Sequence, residues 1–560
     1  MDMPRDEGSP QETSRAGRVE TVLALISSDA RPRAWHLVVA LALSLPIPLL
    51  LSLKRDLIIN YTYQDAFVPM DAAWRTLQGQ WPHADFYTPL GLTYFWQHGA
   101  AAWWGLDSHV VSRATFIALP FVLIPALTLA WRRLNAFSTI LLAVFLTIVV
   151  TSPIPLDGPE RFVAYLASYN SLGGALCAIV ALWALGVPRG RSAAWDLADA
   201  AVVGVVLLLL AFLKITFLAL AVVIAMAGCV VMPRVWRMAL VAATVLAAGV
   251  VALELAHPGL LAGYAADLGR ARAANVTTFR SFHVWRAVRM NLPQVGLILV
   301  LGAAAAWIVP RQRWAAAGFA GVAVACVLVS TQNFDGFSTP LVVLVMLLAG
   351  CLQTEAGTQA GRPRLALAGM FAILMATLPF LLTHAVGMLN LSRLNRSQGV
   401  IVGEGRAEPL RDMAWLRNPI EDSFVPEGVT NEEAVKWRPR LPFDLGNAIL
   451  TDGLALLQRE SLTVNRIASL SFSNPFPLAL HAPSPRGVAL WWDEDRTFAV
   501  KSLTPDMVIG DAQVVMVPKL WFSHYNVTDL LSVAQSTLER DFTPRQSQYW
   551  TAWVRNDGPS

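Results

Sequence analysis

From Trp35 to about Ala385 long apolar runs alternate with short polar connections, and beyond that point the alternation stops. A membrane-spanning helix needs about 20 predominantly apolar residues. That rule predicts spans at Trp35–Leu53, Ser112–Trp131, Ala136–Ser152, Asn170–Gly186, Trp195–Leu213, Ile215–Met232, Met238–His257, Val295–Val309, Ala315–Val329, Pro340–Leu352 and Leu365–Ala385. One further run, Pro89–Gly105, is apolar and aromatic but short, with Gln97 and His98 in its middle. After Asn390 the pattern is that of a mixed α/β domain. Strands are expected at Ala448–Thr451, Ile467–Ser471, Val488–Trp492, Ala512–Val517 and Tyr549–Val554, and helices at Gly453–Arg459 and Val527–Asp541. The expected architecture is a polytopic α-helical membrane bundle of about 11 spans over 35–389, between an N-terminal tail (1–34) and a C-terminal mixed α/β domain (390–560).

Charge gives this picture a direction. Residues are 55% hydrophobic and 15% charged, where a soluble domain carries about 25% charged residues. The net charge of +4 is too small to point to nucleic acid. The basic pairs Arg31/Arg33, Arg132/Arg133, Arg189/Arg191, Arg234/Arg237, Arg311/Arg313 and Arg362/Arg364 lie in short connections, which belong on the cytoplasmic side. All six share one side only if Pro89–Gly105 does not cross, so that segment is expected to be interfacial or re-entrant. Lys54 and Arg55 break the pattern and can snorkel at the outer headgroups. The N-terminal tail lacks the order of a signal peptide, so the first run is read as an uncleaved helix. The protein is then a multi-pass protein of the inner (plasma) membrane. Its outer loop 54–111, the loop from about Pro258 to Gln294 and the C-terminal domain face outward, into the periplasm in a Gram-negative cell. Cys177, Cys229, Cys326 and Cys351 all lie in apolar runs and read as small core residues.

The first outer loop carries the candidate chemistry. Asp65, Asp71 and Asp85 fall in an aromatic-rich stretch beside the membrane, and Ala72–Gln78 is expected to form a short helix ended by Gly79 and Pro82. Such carboxylates can act as a general base or as metal ligands for chemistry on a hydroxyl. Taken singly, each is more readily a solvated loop acid among interfacial Trp and Tyr anchors. Their order and spacing, with Pro82, Asp85, Phe86 and Pro89 following Gly79, resemble the first outer loop of GT-C class glycosyltransferases. Within that class the stretch resembles in particular the bacterial protein-mannosyltransferase-like and lipid A aminoarabinose-transferase-like proteins. The resemblance implies transfer of a sugar from a polyprenyl-phosphate donor to an acceptor hydroxyl on the outer face, with Asp65 as general base and Asp71 as its competitor. Ala66 stands where a Glu is usual, His83 where a Tyr is, and Leu90 where a second Pro is common. The missing Glu weakens an acidic-pair metal site; no cofactor is assigned, and a divalent cation stays open.

Other positions could complete such a site. His83, Asp85 and Tyr87 lie within the motif. Asp157, Glu160 and Arg161 stand in the second outer loop, ahead of Tyr169-Asn170-Ser171 at the head of a span. These could hold acceptor or donor, or be an interfacial turn and helix cap. Lys214, between two spans, would suit a lipid phosphate, although snorkelling also accounts for it. Arg270, Arg272, Arg280, Arg286 and Arg289 make an outward basic cluster suited to phosphates or to headgroups generally. Asn333 and Asp335 read as a turn, and Asp452, His481, Asp493 and Glu494 as isolated. The C-terminal domain is expected to bind acceptor or cap the structure. Expected partners are the polyprenyl-phosphate sugar, a lipid, glycan or protein acceptor, and membrane lipids. Two further functions remain in view: a non-catalytic envelope assembly protein with a GT-C-like fold, and a transporter. The halves show no paired inverted repeat of the kind transporters carry.

Overall fold

The computed structural model describes residues 32–53, 57–59, 63–107, 109–155, 163–190, 192–274, 281–308, 313–331, 338–358, 363–393, 413–415, 443–493, 497–519 and 527–556. Asp157, Glu160, Arg161, Arg280, Asn333, Asp335 and Glu494 lie outside these residues.

In chain order the membrane half contains α1 (Ala34–Ser44), α2 (Pro46–Leu53), β1 (Leu57–Ile59), α3 (Tyr63–Leu77), α4 (Leu92–Trp104), α5 (Val110–Arg133), α6 (Ala136–Thr151) and α7 (Ser168–Leu185). Next come α8 (Ala193–Ala211), α9 (Ile215–Val231), α10 (Arg234–Ala256), α11 (Leu260–Ala274), α12 (Ser281–Ile308), α13 (Arg313–Ser330), α14 (Thr339–Thr358) and α15 (Pro363–Arg393). Among the described residues seven helical stretches are long and apolar enough to cross a membrane, the first being α1 and α2 together. Within α6, α9, α13 and α14 lie four shorter apolar stretches. These eleven segments are the runs predicted from the sequence. Helix α7 runs through the middle of the bundle and is almost wholly buried.

One end of the bundle is basic. Arg132 and Arg133 at the end of α5 share Asp199 at 2.9 and 2.7 Å, and Arg132 also bonds Asp196 at 2.9 Å. The Arg189 backbone N–H donates to the Arg132 carbonyl at 2.7 Å, and the charge of Arg234 acts on Arg133. From Asp199 helix α8 climbs away, and at about 1.5 Å per residue it delivers the chain to Lys214 roughly 20 Å off. Lys214 therefore stands at the opposite end.

The C-terminal part consists of β2 (Met413–Trp415), α16 (Phe443–Arg459), β3 (Ile467–Ser469), α17 (Phe476–Leu480), α18 (Pro505–Ile509), β4 (Val514–Pro518), α19 (Val527–Asp541), β5 (Phe542–Gln546) and β6 (Trp550–Arg555). The sheet order is β3-β4-β6-β5, with β3 and β4 parallel and the other pairs antiparallel. Helix α19 spans the predicted residues, and β3, β4 and β6 overlap their predicted strands. Other expectations fail. Ala448–Thr451 is no strand but part of α16, because Ile449, Leu450, Leu454 and Leu457 present one apolar helical face to the core. Val488–Trp492 contributes only an isolated bridge, Ala489 to Tyr87 of the first outer loop. Strand β5 was not foreseen, since most of its residues are exposed and carry no apolar alternation. Between Pro258 and Gln294 the chain is largely helical, in α11 and the start of α12.

The largest correction concerns α3. The short helix expected from Ala72 begins instead at Tyr63 and runs through Pro69. A proline inside a helix removes the N–H that would bond four residues back. Here that partner is the Asp65 carbonyl, and the helix continues past Pro69 without that bond.

Candidate active site

Four elements converge at the end of the bundle opposite the arginines. Asp65 lies in the first turn of α3 and is half-buried. Tyr94, in the first turn of α4, is fully buried, and the Asp65 charge reaches its hydroxyl. The Tyr94 ring meets Tyr169 of α7 edge-on at 6.3 Å. The Lys214 ammonium lies 4.9 Å from the centre of the Tyr169 ring, a cation–π distance. Burial first, then Tyr169 and Asp65, raise the Tyr94 pKa well above the ordinary tyrosine value. This group therefore offers a carboxylate, a protonated phenol and a cation side by side.

The local sequence explains why Lys214 is presented. Helix α8 stops at Ala211, and Lys214 caps the start of α9 in an extended conformation. Gly91 holds that break against the first outer loop: its N–H donates to the Leu213 carbonyl at 3.1 Å, and the Thr93 N–H donates to the Phe212 carbonyl at 2.8 Å. A Cβ at Gly91 would stand 2.2 Å from the Phe212 oxygen, so only glycine fits this approach. The Pro-Leu-Gly of the motif is thus a seat for the turn that carries Lys214.

No protein-family model matches the chain, and no curated protein matches it. The chain is similar to two solved structures. One is the crystal structure of ArnT from Cupriavidus metallidurans bound to undecaprenyl phosphate, at 15% identity and a TM-score of 0.47, covering 94% of this chain and 99% of that one. The other is the apo state of the same protein, at 12% identity and a TM-score of 0.46, covering 98% of this chain and 100% of that one. Similarity of this size transfers no residue role or ligand to this chain.

Asp71, the second candidate base, is engaged elsewhere. Its Oδ2 accepts from Arg75 Nε at 2.9 Å, with both side chains only 1% exposed. Its Oδ1 accepts from the Ser484 hydroxyl at 3.4 Å. Burial raises the Asp71 pKa, while Arg75 and Ser484 oppose the rise. Arg75 also donates to Gln80 Oε1 at 3.0 Å and to the Pro485 carbonyl at 2.7 Å, and lies over the Phe86 ring at 4.9 Å.

These bonds belong to a longer strap. Residues 482–490 of the C-terminal part lie along the first outer loop. Trp74 and Gln78 donate to the Ala482 carbonyl, each at 2.9 Å. The Tyr87 N–H donates to the Val488 carbonyl at 2.9 Å, and the Leu490 N–H to the Tyr87 carbonyl at 3.0 Å. Asp85 takes the Trp81 N–H at 2.8 Å and faces Arg486 at 3.5 Å. Ala66, where the resemblance expects a Glu, is buried in an apolar cluster with Phe67, Met70, Leu450 and Phe476. A carboxylate there would enter a core that the C-terminal part completes.

His83 and Tyr87 turn toward α11 instead. His83 Nδ1 lies 2.8 Å from Asp267 Oδ2, which also accepts the Thr88 N–H at 3.1 Å. The other Asp267 oxygen pairs with Arg270, whose guanidinium lies 4.3 Å from the Tyr87 ring centre. Arg286 sits half-buried near the start of α12. Among the described residues no three His, Cys, Asp or Glu side chains gather as a metal-binding group. Tyr94 and Asp267 went unremarked in the sequence as chemistry, and Tyr169 was noted only as part of the head of a span. Tyr94 is an ordinary aromatic of an interfacial segment, and nothing local marks it. The Asp71–Arg75 pair was legible, because acid and base four residues apart on a helix face one another.

Proposed function

We propose that the protein is a membrane glycosyltransferase that moves a sugar from a polyprenyl-phosphate donor to an acceptor hydroxyl on the outer face of the membrane. Asp65 acts as the general base. Lys214 holds the donor phosphate, with Tyr169 beneath it. Asp71 serves as an anchor of the first outer loop, since both of its oxygens are committed inside the protein. The observation that carries this reading is the meeting of Asp65, Tyr94, Tyr169 and Lys214, from four elements, at the end of the bundle away from the arginines.

The reaction follows from those groups. Asp65 takes the proton of the acceptor hydroxyl as its oxygen attacks the anomeric carbon, and the phosphate departs with the bonding electrons. A base and an anion-holding cation are both needed, and each typically contributes a factor of about 10²–10⁴. Arg270, Arg272, Arg286 and Arg289 on the same outer side would hold further phosphates of donor or acceptor.

Reconstitution with a panel of polyprenyl-phosphate sugars tests the reading. Transfer should occur with at least one donor, and Asp65→Asn should reduce it by about 100-fold or more. Full transfer by that variant removes Asp65 from the mechanism. No transfer from any donor favours a non-catalytic assembly role, and a protein-dependent solute flux favours a transporter. A reporter fused after Gly105 should read as outer; a cytoplasmic signal overturns the orientation.

A further inference from the structure

The Tyr94 hydroxyl is buried and has no hydrogen-bond partner among the described residues. Its ring packs against Phe95 (5.6 Å), His98 (4.3 Å) and Tyr169 (6.3 Å). Burying an unpaired hydroxyl is unfavourable, and native proteins rarely tolerate it without a reason. Phenylalanine would fill the same space without that cost. Tyr94 stands between the half-buried Asp65 and the Tyr169–Lys214 pair.

Resting on the glycosyltransfer reading, we propose that the Tyr94 hydroxyl is a catalytic hydrogen-bond donor to an oxygen of the leaving phosphate. The proton of the acceptor hydroxyl goes to Asp65 while the acceptor oxygen bonds the anomeric carbon. The bond from that carbon to the phosphate oxygen breaks, and the electron pair stays on the phosphate. Lys214 and the Tyr94 O–H share the charge that grows there. The raised pKa keeps the phenol protonated, so it donates throughout. A donor aimed at developing charge acts mainly in the transition state, and such bonds often close only once substrate is bound.

Tyr94→Phe then has two opposite effects. The apo protein unfolds at the same temperature as wild type or higher, since an unpaired buried hydroxyl has gone. Transfer falls by about 100-fold in kcat/KM. A tyrosine kept only for packing and a hidden bond would show the reverse: lower stability and unchanged transfer. The experiment compares wild type and Tyr94→Phe in nanodiscs by thermal unfolding, by transfer from the donor panel, and by the rise in unfolding temperature on adding polyprenyl phosphate. Unchanged kcat/KM, or a fall in apo stability, overturns the proposal. Should wild type transfer nothing, the glycosyltransfer reading fails by itself. In that case a smaller polyprenyl-phosphate shift in Tyr94→Phe still supports the phosphate contact, and equal shifts overturn it.

Discussion

Replacing Arg75 by methionine is the most informative perturbation of the contact between the first outer loop and the C-terminal part. The side chain is buried and serves three acceptors: Asp71 at 2.9 Å, Gln80 at 3.0 Å and the Pro485 carbonyl at 2.7 Å. Methionine keeps most of the volume over Phe86 and none of the bonds. Asp71 is then left 1% exposed with only the Ser484 hydroxyl at 3.4 Å. Breaking a buried pair by removing one partner costs about 3–5 kcal/mol. Removing both charges, as in Asp71→Leu with Arg75→Met, should cost far less, because an apolar replacement of a buried pair is often near neutral. A coupling of about 3 kcal/mol is expected from the double-mutant cycle. The deficit of Arg75→Met should also shrink in acid. A carboxyl whose folded pKa is raised is penalised when ionised, and the penalty disappears as pH falls below the unfolded value of about 3.9. Thermal or denaturant unfolding in detergent measures the cycle, and protease sensitivity of the C-terminal part reports loss of the strap. Single-mutant effects that simply add, or an Arg75→Met variant within about 0.5 kcal/mol of wild type, would refute the reasoning.

Two further outcomes follow from the same region. Gly91→Ala should lose about 1–3 kcal/mol of stability through overpacking against Phe212 and should weaken polyprenyl-phosphate binding by displacing the Lys214 turn, as unfolding and ligand-shift assays would show. His98 is fully buried with Nδ1 2.7 Å from the Tyr94 carbonyl, and burial lowers its pKa to about 4 against that bond. The unfolded chain takes this proton first as pH falls, so stability is complete above about pH 6.5 and declines toward pH 4, by about 2 kcal/mol at pH 5; His98→Leu should flatten that part of the profile.

Some elements were readable because their signal is local. The eleven apolar runs recur as helices, since the length and composition of a run are properties of the run itself. Helix α19 was bounded by its own periodicity, and the Gly79–Pro82 end of α3 by its breakers. The placing of Asp65 beside the membrane end came from the order of short motifs after the first run. The start of α3 was set too late, at Ala72, where the helix in fact begins at Tyr63 and runs through Pro69. The strand expected at Ala448–Thr451 failed because a run of three apolar residues and a threonine does not distinguish a buried strand from a helix face.

What the sequence by itself determined, then, is a bundle of apolar helices, its basic end, and a loop of acids and aromatics at the other end. Only the tertiary structure decided which neighbours from distant parts of the chain hold these residues. Asp71 is committed through partners that include Ser484, 413 residues away, and His83 through Asp267, 184 away. Tyr94, Tyr169 and Lys214 join Asp65 from separate helices. The physical reason is that burial and pairing are set by neighbours in space, and no local pattern records a neighbour hundreds of residues away.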